Sequence, residues 1–445
     1  MDEQDIIIHS GGKMEYTYAK LLMKENMFPS NKTYYNGTLL VTKGKKQFLY
    51  DQDGQKYLDF YSGVATASMG YCDEFINEAV IKQLKEVQHV PGFYLNSLVL
   101  ELARTLAGKV KNDRYKVLFC NSGSEGIEYI TLLARLYKKD GYILSLSHGY
   151  HGMTLFANYL TGVEGWKHHG EVELKAYKVC TPYCYRCKFN KSRETCSFEC
   201  ALEIEDAIKS LGADKFAGFL FETVLGVGGV IVPPEEYFNI ALKIVSKYGG
   251  LSLVDEVQTG IGRTGQWYGF QNYHIEPDAF CLGKGLGNGL PIGAVLAKSY
   301  LAELTSDLML YSTFGGNPVA CASSFAVLEK IEKYNMLRNI KDRGDYLIRR
   351  LQELYEFDFV GDVRGIGLMA GVEFVRSRKL KEPHCELALK VLNKLKEYNL
   401  LVGIGGIYRN VIRIAPPFII ETSDIDALIE GFKRTFLYFG RKDIA

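Results

Sequence analysis

The chain has 445 residues, 47% of them hydrophobic, with 53 Lys and Arg against 52 Asp and Glu for a formal net charge of +1. That length supports one large and one or two smaller domains, and so even a charge balance gives no reason to expect nucleic acid or an anionic membrane as partner. The longest apolar candidate for a membrane span, Phe216 to Pro233, is interrupted by Glu222 and several glycines, and the acidic start Met1-Asp2-Glu3-Gln4-Asp5 lacks the basic residues of a secretion signal. A cytoplasmic location is the expectation.

Residues 13 to 35 read as helix and then extended chain, followed by a strand-like Thr38-Leu39-Leu40-Val41. Gln47 to Phe60 alternates in polarity around Asp53-Gly54, the signature of a hairpin. From about residue 75 the pattern changes. Helices are expected at Glu78 to Val87, over 98 to 110, and from Ser124 to Lys138, with strands at Tyr115 to Cys120 and Tyr142 to Ser147. Strand Phe216 to Phe221, helix Glu235 to Tyr248, and strands Leu251 to Asp255 and Ala279 to Leu282 follow.

Short apolar strands alternating with helices predict an α/β fold whose mostly parallel sheet is covered on both faces. After 320 a helical tract runs to about 355, Gly361 to Phe374 reads as a turn feeding a strand, and a helix at 385 to 397 follows. Strand Val411 to Ile414 and a last helix near Asp424 complete a C-terminal α+β domain. The expected division is therefore 1–74, joining a small domain built from both termini; 75–320, the large domain; and 321–445, the rest of the small domain. No internal repeat or low-complexity linker is evident.

Ten cysteines are unevenly spread. Cys72, Cys120, Cys281, Cys321 and Cys385 stand singly and read as small core residues. In an insert at about 180–200, Cys184-x2-Cys187 and Cys196-x3-Cys200, with Cys180 nearby, have spacings that let two tight turns present four thiolates to one structural zinc. Disulfides or free thiols are the alternatives. His89, His148 and His384 read as hydrogen-bonded structural residues.

Four points carry chemistry. Asn121-Ser122-Gly123-Ser124-Glu125 follows a strand and opens a helix, so its free backbone amides and hydroxyls suit a phosphate, although a plain helix cap uses the same letters. Tyr150 lies just past a strand end, where open α/β sheets place ligands, and its ring either covers a planar cofactor or closes the core rim. Asp255 ends an apolar strand, and a carboxylate there needs a partner such as a protonated ring nitrogen. Lys284, among the glycines of Gly283-Lys284-Gly285-Leu286-Gly287, ends a later strand, where desolvation lowers an amine's pKa and makes it a nucleophile for a carbonyl. Phosphate site, ring cover, ring-nitrogen acid and lysine are the contacts that pyridoxal phosphate requires.

With these motifs the chain resembles, from about residue 30 to 435, the class III pyridoxal-phosphate aminotransferases of fold type I. That group contains ornithine, acetylornithine, 4-aminobutyrate and other omega-amino transaminases. The resemblance implies that Lys284 forms the Schiff base and moves the proton, Asp255 pairs with the pyridine nitrogen, and Val257 and Tyr150 cover the two ring faces. It further implies that Gln258 approaches the ring hydroxyl, that Glu222 organises the loop beneath the cofactor, and that Ser122, Gly123 and Ser124 hold the phosphate. Thr313, in Ser312-Thr313-Phe314-Gly315-Gly316-Asn317-Pro318, matches a threonine that reaches the neighbouring subunit's phosphate. A homodimer with shared sites, or a tetramer built from it, is therefore expected, working by ping-pong kinetics on a small-molecule amino donor and a 2-oxo acid.

Arg413 matches an arginine that binds the acceptor's carboxylate. Relatives with terminal-amine substrates mask it with a glutamate, whereas Glu222-Thr223-Val224-Leu225-Gly226-Val227-Gly228-Gly229 has Val227 at the masking position. Val227 cannot neutralise Arg413, which weakens an ornithine-like or 4-aminobutyrate-like assignment. Thr223 and Tyr71-Cys72 are further departures, and Arg364 reads as support for the small-domain junction. The insert Thr181-Pro182-Tyr183-Cys184-Tyr185-Arg186-Cys187 is similar to that of a subgroup containing broad-range transaminases and amino-acid racemases or epimerases. Epimerisation through the same lysine is therefore the alternative to transamination.

Overall fold

The computed structural model describes residues 14–37, 39–110, 115–167 and 175–439. The expectations for Met1 to Asp5 and for Thr38 lie outside them. At the centre is a seven-stranded sheet, ordered Tyr115–Cys120, Gly293–Lys298, Ala279–Leu282, Leu251–Asp255, Phe216–Glu222, Tyr142–Leu146 and Ala176–Val179. Six strands point the same way, and Gly293–Lys298 is antiparallel to both its neighbours.

Successive side chains of these strands enter opposite cores, as the two-residue strand period requires. Leu253, Ala279, Cys281, Val295 and Ala297 join Ile127, Ile130 and Leu133 of helix Gly123–Tyr137. Val254, Phe280, Leu282, Ala294 and Leu296 join Phe238, Ala241 and Val245 of helix Tyr237–Lys247 on the other side. Both faces are covered, which is why these strands are continuous apolar runs in the sequence.

A second sheet joins Val41–Lys45, Phe48–Asp51 and Lys56–Asp59 to Leu400–Leu401, with the last two in parallel. The chain's beginning and its C-terminal region thus share hydrogen bonds. A third, antiparallel sheet runs Val360–Ile366, Met369–Phe374, Val411–Ile414 and Gly403–Gly405.

Several expectations are corrected. Gly361 to Phe374 is a hairpin of two strands rather than a turn and one strand. The helical tract after 320 is two helices, Pro318–Lys333 and Met336–Gln352, because Asn335 turns left-handed at φ 47° and breaks the hydrogen-bond ladder. The sequence reading missed Gly293–Lys298, Ala176–Val179 and helix Glu199–Leu211. Cys72 and Cys385 are exposed, the first in a left-handed turn at φ 51° and the second opening helix Cys385–Glu397, so neither is a core residue. Among the described residues no helix is long and apolar enough to cross a membrane.

Candidate active site

The C-terminal ends of the parallel strands converge on a cavity of about 450 Å³, the position at which open α/β sheets take ligands. Ser122, Gly123 and Ser124, at the start of a 15-residue helix, form one side. Ser122 Oγ caps the helix by accepting from Glu125 N at 3.2 Å, and Ser124 Oγ accepts from Met153 N at 3.1 Å. Each hydroxyl keeps its own proton to donate. Gly123 is required by close approach, since a Cβ there would lie 2.5 Å from Val257 Cγ2.

Asp255 closes the floor. Its Oδ2 is 2.9 Å from His151 Nδ1 and its Oδ1 accepts from Val257 N at 3.1 Å. His151 is a partner that sequence reasoning left unassigned, because the Tyr150-His151-Gly152 motif says nothing of which strand end the imidazole meets. Glu222 pairs in register with Asp255 on the adjacent strand. It does not line the cavity but accepts from Tyr150 N and Gly226 N, both at 2.9 Å, so it ties two loops to one strand end. Burial pushes its carboxyl up to about 7, and the nearby Asp255 charge acts in the same direction.

Lys284 projects into the cavity from a short 3₁₀ turn just after strand Ala279–Leu282, with a left-handed backbone at φ 42°. Burial lowers its amine to about 8, opposed by the Asp255 charge and aided by that of Arg413. Such an amine is partly unprotonated near neutral pH and can attack a carbonyl. Tyr150 also lines the cavity, its ring edge-on to Trp166 at 5.4 Å.

The opposite wall comes from distant segments. Arg413 donates from Nη1 to the Tyr61 hydroxyl at 2.9 Å and from Nη2 to Gln258 Oε1 at 2.8 Å, while its Nε is buried without a partner. Both partners are neutral, and Val227 beside them is apolar. Tyr34, Tyr61, Val64 and Trp166 complete the mouth; none was singled out as a site residue from sequence. The segment carrying Tyr61 is unusual, because Ser62, Gly63, Val64 and Ala65 all have positive φ, of 49°, 56°, 65° and 60°. Left-handed backbone costs non-glycine residues ~1–2 kcal/mol each.

Thr313 is exposed and outside the cavity of its own chain. The expected zinc site is not formed, since no three His, Cys, Asp or Glu side chains among the described residues are grouped to hold a metal ion. Cys180, Cys184, Cys187, Cys196 and Cys200 are free. Cys180 is buried beyond an edge strand, Cys184 is exposed on a 3₁₀ turn, and Cys196 Sγ accepts from Phe198 N at 3.3 Å. Burial raises the Cys200 thiol to about 12, and Cys180, Cys196, Cys184 and Cys187 act in the same direction. His148 is structural as expected: its Nδ1 lies 3.0 Å from Ser147 Oγ and 3.1 Å from Thr181 Oγ1, and burial lowers it to about 4. Arg364 donates to the carbonyls of Gly229 and Val230 and pairs with Asp362 and Glu373, joining the third sheet to the loop that carries Val227.

A doubly covered sheet with a low-pKa lysine, a supported acid and a helix-start anion cradle at its strand ends defines an enzyme that works through a bound carbonyl cofactor. The particular family follows from comparison. Residues 30–436 match the family model described as "Aminotransferase class-III", and the chain belongs to that family. It is 37% identical over 409 residues to alanine–glyoxylate aminotransferase 2 homolog 2, mitochondrial, of Arabidopsis thaliana, covering 92% of this chain and 85% of that protein. It is 34% identical over 414 residues to a leucine/methionine racemase of Thermococcus litoralis, covering 92% and 93%. An amine transaminase from an uncultivated Pseudomonas species, solved in its PLP-bound internal aldimine form, superposes with a TM-score of 0.87 at 28% identity, covering 93% of this chain and 98% of that one. The protein is a pyridoxal-phosphate-dependent aminotransferase acting through Schiff-base chemistry.

Proposed function

We propose that this enzyme moves an amino group from an α-amino acid such as alanine to a 2-oxo acid such as glyoxylate, with Arg413 receiving the carboxylate of each in turn. One observation carries this reading: the two side chains bonded to Arg413 are uncharged, so its positive charge is left for a ligand. The name of the Arabidopsis relative supports the same substrate class.

Bound in this cavity, pyridoxal phosphate supplies a carbonyl that condenses with amines and a ring that stores the electron pair released at the substrate carbon. The chain's own residues do the rest. Ser122, Gly123 and Ser124 hold the phosphate with helix-start amides and hydroxyls. Asp255, kept in place by His151 and Val257 N, would pair with the ring nitrogen, and Tyr150 and Val257 would cover the ring. Gln258, whose oxygen accepts from Arg413, would offer its amide nitrogen to the ring hydroxyl. Glu222 holds the loops beneath. Lys284 Nζ would be the cofactor's attachment point and would carry the proton from the substrate carbon to the cofactor. Donor and acceptor use one site in turn, so the kinetics are ping-pong.

A homodimer completes the reading. Phe93, Leu95, Met309 and Phe314 leave apolar surface exposed around Thr313, with Phe93 stacked on Tyr311 at 4.4 Å, and a patch of this kind fits burial against a second copy. The partner subunit's Thr313 then reaches the phosphate. Sedimentation of the holoenzyme checks this, and a monomer with full activity would refute it.

The Thermococcus relative's name gives epimerisation its claim. That reaction needs a second acid-base group on the opposite ring face. His151 is bonded to Asp255 and buried, and burial raises the Tyr150 hydroxyl, which therefore stays protonated. A protonated hydroxyl gives a proton to that face but does not take one, so Tyr150 serves at most half of a reversible epimerisation. The deciding experiment incubates holoenzyme with L-alanine and glyoxylate, and separately with L-leucine alone, followed by chiral chromatography. Pyruvate and glycine from the first mixture support the proposal; D-leucine from the second, without products from the first, overturns it.

A further inference from the structure

Arg413 does not find its own orientation. Its Nη1 partner, the Tyr61 hydroxyl, stands at the entry to the left-handed turn Ser62 to Ala65, a backbone that these residues do not adopt unaided. What holds the turn is Asp59. This carboxylate is 2% exposed, and its Oδ1 accepts from Tyr61 N at 2.7 Å, with further backbone hydrogen bonds from Ser62 and Gly63. Its Oδ2 accepts from the Tyr71 hydroxyl at 2.5 Å. Successive amides of a left-handed turn point the same way and form an anion-binding concavity, here filled by a side chain of the same protein.

Tyr71 is itself fixed, exchanging backbone hydrogen bonds with Lys46 at 2.7 and 2.9 Å. The far side of the turn is tied down by Ser62 Oγ, which donates to Ala415 O at 2.8 Å, two residues beyond Arg413. The Tyr61 ring lies flush against the strand that pairs with Arg413, since a Cβ on Gly403 would sit 2.3 Å from Tyr61 Cε2. Asp59 and Tyr71 do not line the cavity, whereas Tyr61, Gly63, Val64 and Thr66 do, so any influence of the clamp on substrate passes through the turn it holds, of which only Tyr61 bonds to Arg413.

We propose that Asp59 and Tyr71 are positioning residues for the substrate-carboxylate receptor: they clamp the left-handed turn, the turn aims the Tyr61 hydroxyl, and Tyr61 orients Arg413. The proposal rests on the reading of Arg413 given above. It assigns a role to Tyr71, one of the positions at which the sequence departs from its relatives.

The test measures propionate binding to holoenzyme by calorimetry, together with half-reaction rates for L-alanine and for 1-phenylethylamine, which has no carboxylate. Tyr71→Phe removes one hydrogen bond with little change in shape. Propionate affinity and the KM for alanine are expected to worsen by about fivefold, with kcat and the 1-phenylethylamine rate near wild type. Tyr61→Phe should show the same weakening of propionate. Wild-type propionate affinity in Tyr71→Phe overturns the proposal, as does an equal loss for both amines with a lowered Tm, which marks general structural damage. Arg413→Ala separates the two layers. If it abolishes propionate binding while Tyr71→Phe changes nothing, the clamp fails and the receptor stands; if it leaves propionate binding intact, the receptor reading itself fails.

Discussion

The floor and the outer wall of the cavity are built in opposite ways. On the floor, Asp255, Glu222 and Lys284 stand at the ends of neighbouring sheet strands, and their charges act on one another within a rigid frame. On the wall, Arg413 meets Tyr61 and Gln258 from remote parts of the chain, through hydrogen bonds to uncharged acceptors. On the proposed reading the floor is committed to one permanent occupant, whereas the wall keeps a charge in reserve for ligands that come and go. A strand of the third sheet, a strained turn and the segment after Asp255 set the wall, and it still acts on the floor, since the Arg413 charge helps lower the Lys284 amine.

Substitutions should separate the halves. Lys284→Ala should reduce turnover by about 10⁴-fold for every donor, with or without a carboxylate, since it removes both the attachment point and the proton carrier; stopped-flow half-reactions measure this. Asp255→Ala should lower kcat/KM by about 10³-fold for all donors and speed cofactor loss on dialysis, followed by visible absorbance. Arg413→Ala should raise the KM for pyruvate by about 10²-fold and slow 1-phenylethylamine far less. Comparable losses for both amines would erase the distinction between floor and wall.

The smallest effect is one of pH. Because the folded protein lowers the Lys284 amine to about 8, the reactive unprotonated fraction grows as pH rises towards that value and levels off above it. Recombination of cofactor-free enzyme with pyridoxal phosphate should therefore accelerate about tenfold per pH unit below 8 and flatten beyond. A rate still climbing towards pH 10 would mean that burial does not depress this amine.

The same contrast explains what could be read in the sequence. Strands Leu251–Asp255 and Ala279–Leu282 are apolar runs with a charged residue at or just after the end, and that pattern locates Asp255 and Lys284 without tertiary information. Tyr61 and Tyr34 carried no such signal, because their importance depends on contacts with Arg413 and Ile404 some hundreds of positions away. His151 was visible, but its bond to Asp255 was not. Strand Gly293–Lys298 was missed because it follows a glycine-rich stretch and runs against the βα alternation. The cysteine spacings suggested a metal, yet among the described residues no three potential ligands are grouped to hold one, because spacing along the chain does not fix where each sulfur is aimed.

The antiparallel strand Gly293–Lys298 has a bearing on assembly. Among the described residues, strand Tyr115–Cys120, which leads into the Ser122 to Ser124 helix start, pairs with the rest of the sheet only through it. During synthesis the cradle's strand must wait, unpaired, until residues far downstream have emerged, and closing so long a loop is slow. An unpaired apolar strand is a site for wrong partners. The segment proposed to grip the phosphate is therefore preceded by the strand of the large sheet that waits longest for its neighbour.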